Sequence, residues 1–115
     1  LPNMQADAVA ERTEPLVRQL RTARPETPIL LVEDRTYTYA PFRKSARDRH
    51  ATSRAALRQA YNSLISAGVG NLYYLEGQPL LGDDGEAATD GSHPSDLGMV
   101  RYADAYETIL RKLVL

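Results

Sequence analysis

Ile29-Leu30-Leu31-Val32 is a wholly apolar run, closed on one side by Pro25-Glu26-Thr27-Pro28 and on the other by Glu33-Asp34. A strand with one face in water alternates polar and apolar residues. A run without alternation belongs where both faces are covered, as in a parallel sheet. Asn71-Leu72-Tyr73-Tyr74-Leu75, bounded by Gly70 and Gly77, reads as a second strand. Between the two, a helical pattern from about Ser45 to Ala67 carries Ala55, Ala56, Leu57, Ala60, Leu64 and Ile65, with Gly68 and Gly70 as its stop. Ahead of the first strand, Val9, Leu16, Val17 and Leu20 fall at helical spacing between Met4 and Arg24, and Pro15 predicts a kink or a split there. Ser95 to Leu113 reads as a last helix, with Leu97, Val100, Tyr102, Tyr106, Ile109, Leu110 and Leu113 as its buried stripe. The order helix, strand, helix, strand, loop, helix predicts an α/β fold with parallel strands.

Two parallel strands make a poor sheet, because such strands need neighbours on their edges and cover on both faces. The chain has 115 residues, at most one domain, and it opens on Leu1-Pro2-Asn3, which reads as the point where a preceding strand ends. The expectation is therefore the C-terminal part of a larger α/β domain, whose first strands lie upstream of Leu1. Hydrophobic residues make up 43% of the chain, enough for a core, and the net charge of -1 gives no footprint for nucleic acid. No apolar run approaches the ~20 residues of a membrane span. The absence of cysteine excludes disulfides and thiolate metal sites.

Chemistry concentrates in Asp90-Gly91-Ser92-His93-Pro94, which follows the acidic, glycine-rich run Leu81-Gly82-Asp83-Asp84-Gly85-Glu86. A carboxylate three residues before a histidine can fix the tautomer of the imidazole and stabilise the imidazolium formed when it acts as a general base. The same residues can instead shape a turn and cap the helix that follows, leaving His93 on the surface.

With these elements in place, the chain resembles the SGNH (GDSL-type) hydrolase superfamily, esterases and acylhydrolases on a flavodoxin-like, three-layer α/β fold with a parallel sheet. Asp90-Gly91-Ser92-His93-Pro94 looks like the block that supplies the triad acid and base before the final helix. Leu1-Pro2-Asn3-Met4 looks like the end of the block whose asparagine donates to the oxyanion hole. Thr27 to Glu33 and Gly70 to Leu75 look like the penultimate and last strands. The resemblance spans essentially all of residues 1–115 and implies that His93 is the general base, Asp90 its acid partner and Asn3 an oxyanion donor. It implies a small acyl ester as substrate, with an acetylated carbohydrate as one form, no cofactor and no metal, and it inclines toward a secreted or periplasmic setting. A helix N-cap is the other role open to Asn3.

The sequence also departs from the family pattern. The Gly-Asp-Ser nucleophile block and the glycine block that completes the oxyanion hole are absent from these 115 residues. Ser92 is adjacent to His93, which makes a productive hydroxyl-to-imidazole bond awkward, and Ser95 reads as a helix N-cap. Ser45, Ser53, Ser63 and Ser66 lie on or near a helix, in solvated or packing roles. The expectation is a serine ester hydrolase whose nucleophile lies on the missing N-terminal segment of the same domain, so that this chain alone is inactive. Two rivals stand beside it: a non-catalytic α/β interaction module, and a metal-dependent hydrolase using His93 with Asp83, Asp84 or Asp90. His50, in the charged stretch Arg47-Asp48-Arg49-His50, reads as solvated, and Tyr37 and Tyr39 either line a cleft or cover the sheet edge.

Overall fold

The computed structural model describes residues 4–114, with side chains to Leu113. Helix α1 spans Ala6–Ala23, strand β1 Ile29–Val32, helix α2 Lys44–Ser66, strand β2 Leu72–Leu75 and helix α3 Asp96–Val114. Short 3-10 turns at Ala40–Phe42 and Gln78–Leu81 follow the two strands. The strands pair in parallel, with Ile29 opposite Leu72 and Leu31 opposite Tyr74. Successive strand side chains point to opposite faces. Ile29, Leu31, Leu72 and Tyr74 accordingly enter one core with Val9 and Val17 of α1 and Leu57 and Leu64 of α2. Leu30, Val32 and Tyr73, in the alternate positions, are half-buried. Helix α3 packs instead against the Gln78–Leu81 turn, where Leu80, Leu81 and Ala87 are fully buried. Among the described residues β1 has β2 as its one neighbour.

The helix ends follow local chemistry. Gly68 takes φ +79 just past the α2 C-cap, Ala67. Its N–H bonds to the Ile65 carbonyl, and the Val69 N–H reaches back to the Leu64 carbonyl at 3.0 Å. That double bond pattern is a Schellman stop, and glycine adopts its left-handed residue without a Cβ penalty. Leu64 and Val69 both join the main core, so the stop and the packing support each other.

Three expectations are corrected. Helix α1 is one element through Pro15, so the split expected there does not occur. The missing proline N–H leaves the Glu11 carbonyl without its helical donor, at a residue that is exposed. Leu16 and Leu20 of the same helix are exposed, while Thr13 is fully buried and returns its hydroxyl to the Val9 carbonyl at 2.7 Å. The expected stripe of α3 is only partly covered. Tyr102, Tyr106, Ile109 and Leu113 are half-buried, whereas Leu97, Val100 and Leu110 are exposed. The spacing identified an apolar face; the described residues contain too little protein to cover it.

Candidate active site

Parallel strands of an α/β sheet gather ligands and reactive groups beyond their carboxyl ends. The segments leaving β1 and β2 at those ends build the site. Thr38 N–H donates to the Gly91 carbonyl at 2.9 Å, which ties the segment after β1 to the loop before α3. Gly91 has φ +86, and a Cβ there would run into the Tyr39 ring. Only glycine fits that contact without strain.

On this loop the structure brings Asp90 and His93 together. His93 Nδ1 lies 2.6 Å from Asp90 Oδ2. The other carboxylate oxygen, Oδ1, accepts from the backbone N–H groups of Ser92 at 2.9 Å and His93 at 2.7 Å. The backbone N–H of His93, the ring of His93 and the N–H of Ser92 hold the Asp90 carboxyl well below the usual carboxylate range. Both side chains are exposed, with the imidazole at 71%. With Nδ1 engaged, Nε2 is the ring nitrogen left to exchange a proton with another group. The Thr89 N–H donates to the His93 carbonyl at 2.9 Å, and the Ser95 N–H to the Ala87 carbonyl, closing the loop on both sides of Pro94. Ser95 Oγ accepts from the Gly98 N–H at 3.3 Å, so Ser95 caps α3 as its position predicted. Asn3 lies outside the described residues.

A buried charge network supports the loop from beneath. Arg35, 7% exposed, donates through Nε to the Ser92 carbonyl, through Nη2 to Ser92 Oγ at 2.9 Å and through Nη1 to Asp34 Oδ1 at 3.1 Å. Asp34 also faces Arg49 of α2 at 3.4 Å. Glu33 accepts from the Tyr74 hydroxyl at 2.6 Å and the Gly77 N–H at 2.9 Å. Burial, then that bond to Glu33, pushes the Tyr74 phenol above its ordinary range. Arg54 of α2 donates to the Asp34 carbonyl and to Thr36 Oγ1. Glu33-Asp34-Arg35 thus fixes the exit of β1 to α2, β2 and the His93 loop at once. Sequence reasoning missed Arg35. Its one signal was a charged tripeptide directly after an apolar strand, and its partner lies 57 residues away.

His50, expected in solvent, is 4% exposed. Its Nε2 accepts the Tyr37 N–H at 3.1 Å, and its ring meets Tyr37 edge-on at 4.6 Å. Burial first, and Arg54 second, push its pKa down, so it is a neutral structural acceptor. Tyr37 also borders a cavity of about 810 Å³ at the strand ends, together with Phe42, Gln78, Pro79 and Asp83. In the acidic loop, Arg101 binds both oxygens of Asp84, at 2.7 and 2.5 Å, and donates to the Leu81 carbonyl at 2.7 Å. Those bonds hold the Asp84 carboxyl below its ordinary range. Among the described residues no group of three or more His, Asp or Glu side chains converges on one point.

The sequence matches the family described as GDSL-like Lipase/Acylhydrolase over residues 1–111. A solved structure assigned as a GDSL-like lipase from Bacteroides ovatus superposes with a TM-score of 0.92 at 30% identity, covering 98% of this chain and 34% of its own. A salicylyl-acyltransferase from a tetracycline biosynthetic pathway shares the fold, with a TM-score of 0.75 at 22% identity, over 96% of this chain and 34% of its own. The chain therefore spans about a third of the length of the solved structures it matches. No curated protein matches it. The mixed α/β arrangement with its small parallel sheet is part of an SGNH-like fold, and the chain belongs to the GDSL-like lipase/acylhydrolase family.

Proposed function

We propose that this chain supplies the acid–base part of a serine ester hydrolase, with the nucleophilic serine carried by an N-terminal segment of the same domain outside residues 1–115. The observation that carries the reading is the His93 Nδ1 to Asp90 Oδ2 bond of 2.6 Å, on an exposed loop at the carboxyl ends of the parallel strands. Family membership supports the chemistry.

His93 Nε2 takes the proton from the serine hydroxyl as Oγ attacks the acyl carbonyl carbon. The carbonyl π bond opens onto oxygen, and the amide of Asn3 donates to the oxyanion. Collapse re-forms the carbonyl and breaks the ester C–O bond, while the imidazolium returns its proton to the leaving alcohol. Water then attacks the acyl-serine with His93 again as base, releasing the acid and the free serine. Asp90 keeps Nδ1 protonated and stabilises the imidazolium; it does not itself take the proton. A small acyl ester, such as an acetylated sugar, is the substrate class.

Phosphonate labelling of the complete protein tests the reading. One covalent adduct, on a serine outside residues 1–115 and with loss of nitrophenyl ester turnover, is the expected result. Turnover that survives the phosphonate and disappears on chelation would replace the serine mechanism with a metal-dependent one.

A further inference from the structure

The peptide plane between Ser92 and His93 is held at both ends. Its N–H, on His93, donates to Asp90 Oδ1 at 2.7 Å, and its carbonyl, on Ser92, accepts from Arg35 Nε. A displacement of this plane carries the imidazole with it, because His93 Cα is one of the plane's six atoms. The imidazole itself is 71% exposed and has little packing to hold it. Hydrogen bonds must do that work.

Arg35 is built for the task. All three of its guanidinium nitrogens are used, Nε and Nη2 on Ser92 and Nη1 on Asp34. The Asp34 side chain is 7% exposed and faces Arg49 of α2, so the guanidinium is anchored on its far side to the body of the fold. A planar fork delivers donors in fixed directions to the carbonyl and hydroxyl of a single residue; a lysine ammonium carries the charge without the fork.

We propose that Arg35 is a positioning residue, fixing the Ser92–His93 peptide so that Nε2 of His93 points at the nucleophile. The inference rests on the reading of His93 as the base. Misplacement of a reacting group by about 1 Å costs on the order of 100-fold in rate. The loss falls on kcat, because the Arg35 guanidinium is buried and spent on Ser92 and Asp34.

The test uses the complete protein and a nitrophenyl ester, with turnover counted per folded molecule by circular dichroism. Arg35→Lys should lower kcat about 100-fold and leave KM within about twofold. Ser92→Ala keeps the Nε bond and removes only the Nη2 partner, and should lower kcat about three- to tenfold. A merely structural role would reduce the folded fraction and leave kcat per folded molecule unchanged. If Arg35→Lys does not fold, Ser92→Ala decides alone. Wild-type kcat in the folded variants, beside an inactive His93→Ala, overturns the Arg35 inference and spares His93. Wild-type turnover in His93→Ala overturns both.

Discussion

Asp90 divides its carboxylate between backbone and imidazole, and each oxygen has a separate job. Oδ1 shapes the loop through two N–H groups, and Oδ2 orients the ring. Asp90→Asn can keep the first job and reverses the second, because an amide N–H2 directed at Nδ1 favours the wrong tautomer. In the complete protein that variant should stay folded and lose about 10⁴-fold in kcat. The sign of the pH effect follows from the lowered pKa. A carboxylate held below its ordinary value contributes stability that is complete above the unfolded pKa of about 3.9 and is lost as pH falls toward the folded value. Loop amide resonances of residues 91–93 should therefore show no carboxylate titration near the ordinary value of about 3.9 and should shift only at pH well below it. Asp90→Asn should abolish that acid transition. Gly91→Ala combines a disfavoured φ of +86 with a collision against Tyr39 and should destabilise the fold by more than about 1 kcal/mol. Thermal denaturation against wild type measures it. At this scale Asp90 and His93 were legible because their partnership is local, three residues apart. Arg35 and His50 were not. A charged or basic residue reads as solvated unless its distant partners are known, and theirs come from other elements.

At the scale of elements, the strands and helices were legible because each carries its own signal: two apolar runs, 3.6-residue periodicity and a glycine stop at Gly68. What the sequence could not show was the side on which cover is present. The spacing of Leu97, Val100 and Leu110 marks an apolar face of α3, but exposure is decided by what packs there. The split at Pro15 was misread for a related reason, since a proline's cost in a helix depends on whether the stranded carbonyl is exposed or buried. The strongest packing unit is the α1–α2–sheet core. Leu64 has no exposed surface and lies between the Schellman stop and β2, so Leu64→Ala should cost about 2–5 kcal/mol by urea denaturation.

At the scale of the whole molecule, the Cα radius of gyration is 14.9 Å, against about 13 Å for a compact domain of this length. The excess reflects a slab 18 Å thick with half-covered strand faces and an incompletely covered α3. A parallel strand with an open edge exposes backbone donors and apolar surface, so the isolated 115-residue chain should associate or unfold at low denaturant. Sizing chromatography with a denaturation series checks this. The same chain should hydrolyse a nitrophenyl ester at the background rate, since a base without its nucleophile has nothing to activate.

The central claim is that His93 is the base of a serine hydrolase, and the turnover of His93→Ala in the complete, folded protein tests it most directly. The account predicts that kcat for a nitrophenyl ester falls by at least about 10⁴-fold, with the thermal midpoint essentially unchanged, because the imidazole is exposed and bonded to Asp90 alone among the described side chains. A folded His93→Ala enzyme that retains turnover within about tenfold of wild type, a difference of only 1.4 kcal/mol in barrier height, would contradict it.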